Sequence, residues 1–168
     1  MKNNTTIGII SGLAATSIWG AMYVVSKAVM AVIPPFSLLT TRLVLGAISL
    51  LIVAVIQKKL KVGKKDFWNV LGVGFIGYGV SLGFQFVGTD LSTAANGSLV
   101  TSATPAFVLI FAALILREKI TSRRLIALVV ASLGVLAVID PRSAQLDSAL
   151  FWGNMSLVAA ALTWALYS

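Results

Sequence analysis

Neither cysteine nor histidine occurs among the 168 residues, and acidic side chains number only five. Without cysteine there is no disulfide framework, and without both residue types there is no zinc site of the usual kind. The five carboxylates (Asp66, Asp90, Glu118, Asp140 and Asp147) are scattered, so no metal-ligating cluster and no catalytic pair is visible. The sequence therefore points to no enzyme, no cofactor and no metal. Charge of either sign is scarce: 11% of residues are charged, 58% are hydrophobic, and mean hydropathy is +0.98. A soluble domain of this length needs far more polar surface to cover its core. Strands of about ten residues alternating in polarity are also missing, which argues against a membrane barrel. A single Lys2 precedes a long apolar span, and no small-residue cleavage site ends a short one, so the amino end is no cleavable signal peptide. The net charge of +8 does not signal nucleic acid, because the basic residues sit in short loops between apolar spans rather than on a soluble face.

What is present is a series of six apolar segments, at about 7–29, 36–56, 67–89, 93–116, 124–139 and 150–168. A helix of roughly 20 residues crosses a hydrocarbon core of about 30 Å, and short connections favour antiparallel neighbours. The expected fold class is all-α: a polytopic transmembrane helix bundle in the lipid bilayer of a cell membrane, a bacterial inner membrane. Lysine and arginine bias orients it. Lys58, Lys59, Lys61, Lys64 and Lys65 fill the second connection, and Arg117, Lys119, Arg123 and Arg124 fill the fourth. With Lys2 these fall on one side, while Asp90, Asp140, Arg142 and Asp147 fall on the other. The amino terminus is expected in the cytoplasm.

The last segment repeats the first. Gly8 and Gly153 each stand eleven positions before a tryptophan, Trp19 and Trp164, with Ala14-Ala15 and Ala159-Ala160 at matching offsets between. Five spans separate the two starts, and five is odd, so the copies enter the membrane from opposite sides. That is the inverted-repeat architecture common in secondary transporters. The alternative is chance likeness between two Ala-rich, Trp-containing helices.

Four local patterns resemble the EamA family of the drug/metabolite transporter superfamily. They are Trp19-Gly20 followed by Tyr23 and Lys27; Thr40-Thr41-Arg42-Leu43; the small-residue stretch through Thr104-Pro105 that closes at Arg117-Glu118-Lys119-Ile120; and the end of the fifth span, Leu133-Gly134-Val135-Leu136-Ala137-Val138-Ile139. One departure is Arg117, which stands where the family pattern has a glycine or small residue. The resemblance implies two five-helix repeats. Residues 1–140 would be the first repeat, and residues 141–168 the outer loop and the truncated first helix of an incomplete, inverted second one. It implies a secondary transporter, an exporter of small metabolites such as amino acids or drugs, working by alternating access between the repeats. The partners are then a small-molecule substrate and either a second repeat or a second copy of the chain in a homodimer. The alternative is a non-transporting truncated protein, or a half-transporter subunit that acts only with a partner chain.

Several side chains are candidates for the substrate pathway. Trp19, Tyr23 and Lys27 form one stripe at i, i+4, i+8, with Thr16 roughly in line. Trp19 and Tyr23 suit a cavity wall that offers stacking or cation–π contact, and Lys27 suits snorkelling to the interface. Arg42 lies about six residues, roughly 9 Å, inside its span. It has to bind a substrate carboxylate, pair with Asp90, or reach outward to fix helix depth. Tyr78 and Gln85, seven residues apart, are expected on one face of the third span. In the same span Gly79 and Gly83 form a small-xxx-small pair that favours close helix approach. Asn96, Thr101 and Pro105 lie in the polar outer half of the fourth span. There they either wall a wet pathway or, for the hydroxyls, bond back to their own helix. Pro105 frees a backbone carbonyl that Thr101 or a water is placed to satisfy. Glu118, among basic neighbours, is expected to be a paired structural anchor.

Overall fold

A computed structural model describes residues 2–58, 63–138 and 148–168, and every regular element among them is helical. In chain order these are α1 (Lys2–Met30), α2 (Pro35–Ile56), α3 (Lys64–Gly74), a π-helical turn (Phe75–Ser81), α4 (Leu82–Leu91), α5 (Ala94–Thr101), α6 (Thr104–Ile115), α7 (Ser122–Val138) and α8 (Ser148–Tyr167). Residues Lys64–Leu91 together make one span, and Ala94–Ile115 another. With Thr5–Met30, Pro35–Ile56 and Leu150–Tyr167, five helices among the described residues are long and apolar enough to cross a membrane. The fifth expected span appears as α7, of which 17 residues are described. Lys59, Lys61, Ile139, Asp140, Arg142 and Asp147 lie outside the described residues.

Local chemistry sets the breaks. Pro35 occupies the first turn of α2, where the missing N–H costs nothing. Thr93 caps α5, its hydroxyl oxygen accepting the Asn96 N–H at 3.0 Å. Pro105 sits in the first turn of α6, so the fourth span is interrupted at Ser102-Ala103 and restarts there. The Thr101 hydroxyl does not serve the carbonyl freed by Pro105; it donates to the Gly97 carbonyl at 2.7 Å. Two helix ends at the basic side of the bundle close through left-handed residues, Lys58 and Arg117, each with φ 54°. That conformation favours glycine, which explains why a small residue is the expected one at Arg117.

Polarity is arranged inside out relative to a soluble protein. Ile18, Leu50 and Leu114 are 71–72% exposed, whereas Ser26, Ser81, Gln85, Thr89 and Ser92 are buried. An apolar outer surface is what lipid requires, and small polar residues inside let helices approach and bond. The best-buried helix is α8: Leu157, Ala160, Ala161 and Ala165 are at most 3% exposed. It packs on the π turn, α4, α5 and α6. The Ser81 hydroxyl donates to the Ala160 carbonyl and that of Ser156 to the Phe84 carbonyl, both at 2.8 Å. A second contact joins α1, α2 and α4 through Met30, Leu39 and Phe86.

Contact directions fix how the helices run. Trp19 lies against Trp164, while Lys27 reaches Asp90 and Gly153 lies against Ser92. Thus α1 finishes at the end of the bundle where α8 begins, and the two are antiparallel.

The close-packing glycines differ from the expected pair. A Cβ on Gly79 would meet Phe75 of its own helix, and one on Gly83 would touch Phe36 of α2 at an ordinary 3.8 Å. Close approach occurs instead at Gly77, where the Tyr167 ring covers the backbone, and at Gly88, which faces Gly153 and Leu157 of α8. Both face α8, in a span whose regular helix is interrupted by the π turn, with its wider i→i+5 bonding. In the same span Tyr78 packs on the Trp164 and Tyr167 rings, whereas Gln85 is buried.

Candidate functional site

A cavity of about 620 Å³ lies between α1, α4, α5, α6 and α8. From α1 it takes Thr16, Trp19, Gly20 and Tyr23; from α4, Gln85; from α5 and the chain that follows it, Ser98, Thr101 and Ser102. Thr104, Pro105 and Val108 of α6 and Ala160, Ala161, Trp164 and Ser168 at the end of the chain complete it. Of the eight substrate-pathway candidates it gathers five: Trp19, Tyr23, Gln85, Thr101 and Pro105. The lining contains no charged side chain.

Tyr23 closes the cavity toward the Asp90 end. Its side chain is 2% exposed, its ring lies against Gly97, and its hydroxyl donates to Thr101 Oγ1 at 2.9 Å. Beyond it, the space among Met22, Ser26, Met30, Phe86 and Thr89 is too tight for a water molecule. Gln85 is 5% exposed, and no described residue hydrogen-bonds its carboxamide, which is left to the cavity. Its carboxamide is accessible from the cavity, where a ligand or water can hydrogen-bond it.

The other three candidates lie elsewhere. Asn96 joins a clasp above Tyr23: its side-chain N–H donates to Ser92 Oγ at 3.1 Å, and the Ser92 hydroxyl donates to Asn154 Oδ1 at 2.8 Å. Arg42 belongs to the same end of the bundle, donating to Ser26 Oγ at 3.0 Å with its guanidinium 5.3 Å from the Phe86 ring centre. Among the described residues it forms no ion pair with Asp90. Lys27, rather than snorkelling free, donates to the Asp90 backbone carbonyl. Tyr78 packs edge-on against Trp164 and Tyr167, at 5.8 and 5.6 Å between ring centres. Trp19 meets the same cluster through Trp164 at 5.6 Å.

Reading residues singly misses Ser98, Ser102, Trp164 and Ser168 in the lining, and Ser26, Ser92 and Asn154 in the clasp. A signal for part of the lining was available. The offset that carries Trp19 onto Trp164 also carries Thr16 onto Ala161 and Tyr23 onto Ser168. All six residues line the cavity, so the same stripe of each copy faces it.

A second cleft, about 710 Å³, separates α7 from α6 and the end of α8. Its walls are mainly apolar, and its charged pair is self-satisfied, with Arg124 donating to Glu118 at 2.7 Å. It offers no unpartnered polar group comparable to Gln85. Glu118 is thus paired, as its basic neighbours suggest.

Comparison with known proteins gives the family. Residues 6–139 match the EamA-like transporter family. The chain is 29% identical over 167 residues to the uncharacterized transporter YoaV of Bacillus subtilis, covering 95% of this chain and 54% of that protein. It is 28% identical to an uncharacterized transporter of Archaeoglobus fulgidus, covering 92% and 54%. With the uncharacterized transporter YetK of Bacillus subtilis the identity is 30%, covering 95% and 49%. The chain therefore spans about half the length of the curated relatives it matches. No solved structure matches it.

Proposed function

Because this chain belongs to the EamA-like transporter family, we propose that it carries one half of the pathway of a secondary transporter, an exporter of small metabolites or drugs. Substrate occupies the cavity between α1 and α8 and is exposed to the two sides in turn by alternating access. Residues 1–140 act as one repeat, and α8 is the first helix of a second repeat of inverted topology. The amino terminus lies in the cytoplasm, supported by the concentration of lysine and arginine at the end of the bundle opposite Asp90.

The observation that carries this reading is the cavity lined by matching stripes, Thr16, Trp19 and Tyr23 on α1 and Ala161, Trp164 and Ser168 on α8, on helices that run antiparallel. An inverted pair related by a two-fold axis in the membrane plane places equivalent residues together where the axis passes. The contact of Trp19 with Trp164 fits that placement.

The half-length coverage of its relatives favours a second reading, a half-transporter that acts only with a partner chain or a second copy of itself. Flux in proteoliposomes tests both. Flux by the purified chain that is lost in Trp19→Ala, with insertion unchanged, supports the first. Flux that appears only when a second repeat is co-expressed supports the partnered form. Flux indifferent to Trp19→Ala would refute the cavity assignment.

A further inference from the structure

Resting on the reading of this cavity as the substrate site, we infer that it selects amines, as hydrogen-bond donors, and discriminates against carboxylates. The inference comes from where the lining hydroxyls send their hydrogens. A backbone carbonyl can only accept, so a hydroxyl within bonding distance of one must be donating to it. Thr16 donates to the Gly12 and Leu13 carbonyls, both at 3.0 Å. Ser98 donates to Ala95 at 2.9 Å, Ser102 to Ser98 at 2.7 Å, and Ser168 to Trp164 at 2.9 Å. Thr101 donates to Gly97 and receives the Tyr23 hydrogen.

Each of these hydroxyls has one hydrogen, and each has committed it to its own helix. What they can offer a ligand is oxygen lone pairs. The indole rings of Trp19 and Trp164 add π faces, which carry partial negative charge and attract cations. Donors in the lining are few and neutral: the Gln85 carboxamide, which also accepts, the Thr104 hydroxyl and the two indole N–H groups.

Among the described residues no cation lines the cavity to receive an anion. Lys27 and Arg42 lie beyond the Tyr23 seal, held by Asp90 and Ser26. Arg124 is paired with Glu118 in the neighbouring cleft. A carboxylate entering the cavity would shed water without gaining a counter-charge, and burying an unpaired charge is expensive. An ammonium group of the same size exchanges water for hydroxyl oxygens and π faces. The two halves of an amino acid would therefore pull in opposite directions, which separates amines from amino acids within the broad class of small metabolites.

Three probes share a phenyl ring and a two-carbon chain and differ in charge: 2-phenylethylamine, phenylalanine and 3-phenylpropionate. Their binding to the purified full chain in lipid nanodiscs is measured by calorimetry. The amine is expected to bind at least tenfold more tightly than phenylalanine, and phenylpropionate is expected to give no saturable binding. The double variant Ser98→Ala/Ser102→Ala is expected to weaken amine binding about tenfold with the melting temperature unchanged. The inference is overturned if phenylalanine or phenylpropionate binds as tightly as the amine, if none of the three binds, or if amine binding is unchanged in Trp19→Ala. Amine binding without flux in proteoliposomes would overturn the transport reading and leave this one standing. Flux of phenylpropionate that is lost in Trp19→Ala would do the reverse.

Discussion

The crossing of α4 and α8 depends on Gly88, and Gly88→Ala measures how much. A Cβ there would stand 2.7 Å from Leu157 Cγ, 2.8 Å from the Gly153 carbonyl oxygen and 2.9 Å from the Leu157 nitrogen. These distances are roughly 0.6–0.8 Å inside an optimal contact of about 3.5 Å. Two of the three neighbours are backbone atoms, which cannot rotate away, so α8 itself must shift. Overpacking of this kind costs about 1–3 kcal/mol, or about a 5- to 150-fold change in the folding equilibrium. At this chain length that corresponds to a fall of roughly 2–12 °C in melting temperature. Thermal unfolding in detergent, followed by tryptophan-detected size exclusion, reads it. Gly46→Ala is the control, because nothing lies within 4 Å of its new Cβ and helix propensity favours alanine by up to about 1 kcal/mol. Gly153→Ala meets the backbone of Leu91 and Ser92 at 2.9 Å and should match Gly88→Ala. Gly77→Ala meets only the Tyr167 ring, which can swing aside, and should cost less. The Gly88→Ala/Gly153→Ala double variant should fall short of the sum, since separating the helices once relieves both clashes. If Gly88→Ala melts no lower than Gly46→Ala, the close crossing is wrong.

Three further substitutions test other parts of the bundle. Tyr23→Phe removes the 2.9 Å bond to Thr101 and keeps the ring on Gly97, so it should cost about 0.5–1.5 kcal/mol, seen as a lower melting temperature. Arg117→Gly relieves a left-handed residue at φ 54° and should stabilise by about 1 kcal/mol; an unchanged or lower melting temperature would argue against strain there. Arg124→Ala breaks an ion pair whose side chains are 54% and 47% exposed, and exposed pairs contribute about 0–1 kcal/mol. Its unfolding should therefore stay within a few degrees of the parent at any ionic strength.

The helices were legible in the sequence because a span is announced by length and apolarity, which need no knowledge of neighbours. Pro35, Thr93 and Pro105 mark their starts by local chemistry alone. The helix faces in the third span were not legible. Six glycines at Gly72, Gly74, Gly77, Gly79, Gly83 and Gly88 leave the face of approach undecided, and counting in steps of four or seven assumes a regular helix. The close contacts fall at Gly77 and Gly88, and a π turn at Phe75–Ser81 breaks the regular count between Tyr78 and Gln85. Nothing local marks that turn. Its residues meet partners roughly eighty to ninety positions away, Ala160 accepting from Ser81 and Tyr167 lying over Gly77.

The same distinction explains which polar candidates reached the cavity. Sequence identifies a polar group inside a span and the need to satisfy it, but not whether protein or ligand does so. Asn96 and Arg42 find protein partners, Ser92 and Ser26, and become part of the closure beyond Tyr23. Gln85 finds none and faces the cavity. Among the described residues that closure is made of hydrogen bonds to hydroxyls, a carboxamide and a carbonyl, with no ion pair. Each is worth about 0.5–1.5 kcal/mol net, or about 1.5–3 where one partner is charged, because water offers nearly equivalent bonds. Under the proposed alternating access, this end has to open repeatedly. A seal whose every bond can be exchanged for water opens at a small cost per bond, whereas a buried ion pair would leave two charges to be resolvated at once.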